Sequence, residues 1–218
     1  LTNGEIIFAA NGDYTVKFGS LSSSAATIRG GNTATGTTTV EVGNLGSDAI
    51  IAGNFNNGGT KIVSLQKVGS GTLTLNGGAN YTGATVVNAG TLAFGTTVKT
   101  LGGSSFTVAD SAGLSVKAAA AGTTMLPTSS LTLGASNLTF DFNGLSPTVT
   151  QVSTGTLTLH GALTVNLRNT IALGTGGALT VGAANTNTSF SGVISETGTS
   201  SFTKTGTGVR WRMVRDVP

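Results

Sequence analysis

Eight carboxylates and one imidazole are the side chains here that could move a proton or hold a metal ion: Glu5, Asp13, Glu41, Asp48, Asp110, Asp141, Glu196, Asp216 and His160. Their spacing works against chemistry. Cleavage of a glycosidic bond needs two carboxyl groups flanking that bond. No D-x-D or D-D pair sits on any one strand, and Glu41 with Asp48 is the nearest pair in the sequence. A Ser-His-Asp arrangement would have to use His160, which lies between Leu159 and Gly161 in a turn setting with no G-x-S-x-G elbow to accompany it. There is no H-E-x-x-H pair and no phosphate-binding G-x-x-x-x-G-K-[ST] loop. Gly12-Asp13 is an isolated fragment of a calcium nonapeptide that acts only in tandem. The chain has no Cys, which removes disulfides and thiolate metal sites. No residue is therefore assigned to a catalytic, cofactor-binding or metal role, and no cofactor is expected.

The elements that would have to position such residues are short strands. Thr outnumbers the 34 Gly, charged residues make up 9% and Pro contributes 3 residues. Thr and Val favour strands, Gly and Asn favour turns. The only helix-friendly run is Lys117-Ala118-Ala119-Ala120-Ala121, which Gly122 ends within about one turn. Alternating segments such as Tyr14–Phe18, Thr37–Val42, Thr72–Leu75, Thr91–Phe94 and Thr156–Leu159 are separated by turn clusters such as Asn56-Asn57-Gly58-Gly59. In Thr72-Leu73-Thr74-Leu75 the Leu residues face one side and the Thr residues the other. Two or three aliphatics per strand are few for a sandwich or barrel core. They suit a narrow parallel β-helix with coils of ~20–25 residues, each adding a thin layer of Val, Leu and Ile.

The formal net charge is +3, but three of the eleven basic residues, Arg210, Arg212 and Arg215, lie in the last nine positions. The body is nearly neutral and has no basic stripe, so no nucleic-acid partner is expected. No apolar run reaches the ~18 residues that span a bilayer, so this segment is not expected to insert into a membrane.

A long internal repeat organises the chain. Val42-Gly43 corresponds to Val181-Gly182 and Gly53 to Gly192, both at an offset of 139, while Lys67-x-Gly69-x-Gly71 corresponds to Lys204-x-Gly206-x-Gly208 at an offset of 137. Such repetition points to a stacked architecture. Residues 1–208 read as one β-helix repeat region, with the clearest repeat at 42–95 and a second copy starting in 181–208. Residues 209–218 form an off-pattern tail that holds the only Trp and three of five Arg. This tail reads as a frameshifted or mis-joined end, expected to fray; a natural terminus and a cationic functional tail are the alternatives. The chain as a whole reads as an internal fragment of something longer.

The 26 residues from Lys67-Val68-Gly69-Ser70-Gly71-Thr72-Leu73-Thr74-Leu75-Asn76-Gly77-Gly78 through Tyr81-Thr82-Gly83 to Asn88-Ala89-Gly90-Thr91-Leu92 resemble the autotransporter-associated β-strand repeat, also called the passenger-associated transport repeat. Phe190–Ser195 and Ser201–Gly208 resemble the start of another copy. The resemblance implies a right-handed parallel β-helix passenger exported across the outer membrane of a Gram-negative-type bacterium to the cell surface or beyond. It implies a non-enzymatic stalk or interaction module, adhesive or self-associating. Its partner would be a surface ligand (a glycan, a host or neighbouring-cell protein) or another copy. A carbohydrate-active β-helix enzyme fragment is the alternative. A Thr-array binder is a third reading, hinted at by Thr72-x-Thr74 and Thr156-x-Thr158, although the spacing between ranks is irregular.

Within the repeat, Gly77, Gly83 and Gly90 are expected to supply positive φ at coil corners. Tyr81 is expected to pack structurally over the Asn80–Gly83 turn. Asn76, Asn80 and Asn88 are expected to form amide ladders or to bond turns.

Overall fold

The computed structural model describes residues 2–95, 104–117, 126–133, 137–141, 152–159, 164–165, 170–181, 189–190, 193–196, 201–204 and 207. The strands are β1 (Glu5–Phe8), β2 (Tyr14–Phe18), β3 (Thr27–Gly30), β4 (Thr37–Val42), β5 (Ala49–Ile51), β6 (Phe55–Asn56) and β7 (Ile62–Lys67). There follow β8 (Thr72–Leu75), β9 (Ala79–Asn80), β10 (Thr85–Val87), β11 (Thr91–Phe94), β12 (Ser105–Val108), β13 (Gly113–Lys117) and β14 (Leu126–Leu133). The last are β15 (Asn137–Asp141), β16 (Val152–Leu159), β17 (Thr164–Val165), β18 (Thr170–Val181), β19 (Ser189–Phe190), β20 (Val193–Glu196) and β21 (Ser201–Lys204). The described residues contain no helix. Of the helix-friendly run only Lys117 is described, and it ends β13.

The chain winds into a β-solenoid. The described strands form three long sheets, in the orders β1-β3-β6-β9, β2-β4-β7-β10-β12-β14-β16-β18-β20 (with β21 also paired to β18) and β5-β8-β11-β13-β15, and a fourth, two-stranded sheet β17-β19. From β4 to β11 consecutive strands fall on successive faces, and residues 2–95 make about four three-sided turns. All pairings between strands are parallel, as in Val40↔Leu65 and Leu73↔Leu92. An isolated parallel bridge, Ser23↔Ile51, carries the third face one coil further toward the N-terminus.

Alternation explains the lining. In β4 every second residue (Thr38, Val40, Val42) is buried, and in β8 Leu73 and Leu75 are buried while Thr72 and Thr74 lie outside. In-register stacking turns these positions into columns. On one face Leu73, Leu92 and Leu114 follow one another, and beside them run Ile51, Leu75, Phe94 and Val116. Each coil contributes only a thin apolar layer, yet the column is continuous and sealed above and below by the next layer.

Coil length varies. The step from Val40 to its partner Leu65 takes 25 residues, whereas the step from Leu65 to Thr85 takes 20. Four of the five residues of this shortening fall at one corner. Eight residues (57–64) connect Asn56 to Leu65 in one coil, and four (81–84) connect Asn80 to Thr85 in the next, although both ends stay in register. Tyr81 fills the inside of the shortened corner. It is fully buried, its ring meets Phe55 edge-on at 5.2 Å and 79°, and its hydroxyl lies 2.8 Å from Thr85 Oγ1. Tyr81 thus packs into the interior instead of over the turn.

Gly90 alone among the three expected glycines has positive φ, at 64°. At Gly77 and Gly83 the requirement is close approach: a Cβ would collide with the Gly53 and Val63 carbonyl oxygens of the coil below. The corner itself tolerates an ordinary φ there, and the packing of coil on coil excludes a side chain.

Candidate functional site

Four of the eight carboxylates, Glu5, Asp13, Glu41 and Asp48, are engaged in structure. Glu5 accepts from Arg29 Nε at 3.1 Å and Nη2 at 3.0 Å, one coil away. These hydrogen bonds hold the Glu5 carboxyl below the usual carboxylate range and raise the Arg29 guanidinium. Glu41 accepts from Lys17 at 3.0 Å. Asp13 and Asp48 play the same part on different coils. Each Oδ1 accepts a backbone N–H 24 residues on, from Thr37 and Thr72, both at 2.7 Å. Both acids therefore cap the first residue of a strand in the following coil. Glu41 in β4 pairs with Lys17 in β2, and Asp48 just before β5 caps Thr72 of β8, so the nearest pair in sequence is divided between an ion pair and a strand cap. Among the described residues no cluster of three His, Cys, Asp or Glu could hold a metal ion. His160, Asp216 and the tail 209–218 lie outside the described residues.

Asn side chains supply further caps. Asn54 Oδ1 accepts from Gly78 N at 3.0 Å, Asn57 Oδ1 from Val63 N at 2.8 Å, and Asn11 Oδ1 from Thr35 N at 3.0 Å. Asn80 stands opposite Asn56 across β6 and β9.

The unexpected chemical groups are two buried lysines flanking one strand. Lys67 closes β7 in an apolar column, between Val42 below and Val87 above. Its ammonium turns to the coil corner and donates to the carbonyls of Val68 at 2.7 Å, Gly69 at 2.8 Å and Ala89 at 3.2 Å. Burial lowers its pKa, and the charge of Asp48 partly opposes this. Lys61, immediately before β7, is also fully buried. It donates to the carbonyls of Gly12 and Thr35, the latter at 3.0 Å, and its ammonium sits 4.4 Å from the centroid of the Tyr14 ring. Lys67 thus meets three carbonyl acceptors, and Lys61 two carbonyls and a ring face, which compensates the burial of each ammonium. Sequence reading missed both. Lys67 was visible only as the first residue of the repeated Lys-x-Gly-x-Gly.

One register feature stands out. Thr107, Thr132, Thr158, Thr180 and Thr203 occupy one position on five successive rungs, flanked by Ser105, Ser130, Thr156, Ala178 and Ser201. The irregular spacing in sequence does not carry over, because coil corners absorb the differences in length. The rank that Thr74 could have begun is interrupted by Ile50 below and Ala93 above.

The internal repeat has a structural meaning. Val42 pairs with Lys67 across β4 and β7, and Val181 pairs with Lys204 across β18 and β21. The two copies set the same residue types at paired positions on adjacent rungs, although 25 residues separate the first pair and 23 the second.

No characterised protein sequence and no solved structure matches the chain. A family model does: residues 65–94 match the passenger-associated-transport-repeat. That span runs from the middle of β7 through β11, and contains Lys67, the shortened corner, Tyr81 and Gly90. Within this β-solenoid of parallel coils, residues 65–94 are thus similar to the passenger-associated transport repeat.

Proposed function

We propose that this chain is a non-enzymatic passenger segment: a stalk or spacer of an exported bacterial protein, standing at the cell surface or released from it. Its polar outer faces serve display, adhesion to a surface ligand or self-association. The observation that carries the reading is the repeat at 65–94 embedded in a parallel ladder. The engagement of Glu5, Glu41, Asp13 and Asp48 in pairs and caps supports it, since each would have to leave a partner to act as acid or base. Coil-by-coil folding outside the cell would also oppose backsliding during export, because each coil needs only its neighbour.

A direct experiment fuses the chain to an outer-membrane barrel in a Gram-negative host and labels intact cells with an antibody. Surface labelling that disappears on protease treatment of whole cells is the expected result, with reduced labelling when 65–94 is deleted. Retention of the fusion inside the cell, or turnover of a polysaccharide panel by the purified protein, would count against it.

A second reading attaches to the threonine rank on β12, β14, β16, β18 and β21. A regular row of threonines is suited to ordering water. Inhibition of ice recrystallisation that is lost on Thr132→Lys would favour it over plain display.

A further inference from the structure

Alternation keeps the inside of a solenoid apolar without fixing its register. A slip by one residue turns every side chain over and is excluded by burial, whereas a slip by two restores the same alternation. Strand β7 is open to such a slip as far as its aliphatics are concerned. Moved two residues along β4, it would set Val63 against Val40 and Leu65 against Val42, and the apolar contact would survive.

Its two lysines do not permit the shift. Lys61 reaches back to carbonyls of the two preceding coils, at Gly12 and Thr35. Lys67 reaches to its own corner, at Val68 and Gly69, and forward to Ala89 in the next coil. A slip of two residues moves each ammonium by ~6.6 Å along the strand. That is twice a hydrogen-bond length: Lys61 would lose both of its carbonyls, and Lys67, whose Val68 and Gly69 acceptors move with it, would lose Ala89. The second copy of the repeat again places Lys, at 204, opposite Val181.

We propose that Lys61 and Lys67 are the register keys of the solenoid: the aliphatic columns hold the coils together, and the two ammonium groups select which of the equivalent alignments β7 adopts.

The 218-residue chain has no Cys, which makes this directly testable by disulfide mapping. Glu41 and Gln66 are outward-facing partners in the native register, and Ser64 would take the place of Gln66 after the slip. The pair Glu41→Cys with Gln66→Cys is expected to bridge on mild oxidation, and Glu41→Cys with Ser64→Cys is not, because a diagonal neighbour lies beyond bridging distance. In the background of Lys61→Met or of Lys67→Met, tested singly, the 41–64 bridge is expected to appear beside the 41–66 bridge. Leu65→Ala serves as a control for lost stability. Absence of the 41–64 bridge in folded lysine variants would overturn the proposal. So would its appearance with Leu65→Ala, and so would failure of both lysine variants to fold while Leu65→Ala folds, since the lysines would then be props and not selectors.

Discussion

Tyr81 shows how much one side chain decides. Its ring occupies the space that the shortened corner would otherwise leave empty, and its hydroxyl has a partner in Thr85. Burial pushes the phenol well above its ordinary value, outweighing the hydrogen bond to Thr85. In the unfolded chain the phenol ionises near pH 10. Above that pH the native state therefore holds a proton that the unfolded state has released, and stability falls as pH rises, by about 1.4 kcal/mol per pH unit. Urea denaturation between pH 8 and 11 should show the wild type losing stability faster than Tyr81→Phe by this slope. At neutral pH the variant should be less stable by ~1–3 kcal/mol, through loss of the bond to Thr85. Parallel curves for the two proteins would contradict the buried, protonated phenol. Gly90 makes an independent case. With φ at 64° and the Gly71 carbonyl against it, Gly90→Val should cost about 1 kcal/mol or more, read as a lower melting temperature.

At the scale of the strand, ends matter as much as interiors. Asp48 closes the start of β8 by accepting from Thr72 N, so Asp48→Ala should lower stability by ~1–2 kcal/mol in chemical denaturation. Asp48→Asn, which keeps an acceptor oxygen, should recover most of it. The exposed Glu5–Arg29 pair is different in kind. Its removal by Glu5→Gln should change the midpoint little, since an ion pair in water is screened and entropically costly. The strand interiors were legible from the sequence. β2, β4, β8 and β11 match their alternation end to end, because alternation with Thr, Val and Leu is a local signal. The short strands β5, β6 and β9 were not, since two or three residues carry no period and exist only through pairing with the coils beside them. Lys61 and Lys67 escaped for the same reason. The acceptors of Lys61 lie 49 and 26 residues away in sequence and the Ala89 acceptor of Lys67 22 residues away, and only stacking brings these together. The glycines were recognised as corner residues, but the reason at Gly77 and Gly83 is a neighbouring coil that the sequence does not display.

For the whole molecule, the solenoid replaces a single core with a series of neighbouring contacts. Damage should therefore stay local. Leu92→Ala, which hollows the column between Leu73 and Leu114, should cost ~2–5 kcal/mol in its own segment. Hydrogen exchange should rise in β8, β11 and β13 and stay near wild type in β1 and β3. A uniform rise over all strands would mean that the rod melts as one unit. The varied coil lengths carry a last consequence. Corners of four or eight residues meet the same rungs in register, and the only partners any coil must satisfy are the ones directly beneath and above it. A gene encoding such a chain can grow by copying one turn and pasting it in beside its template, then diverge at the corners without redesigning the rest. The paired valine and lysine, met first at Val42 and Lys67 and again at Val181 and Lys204, are what such copying leaves behind.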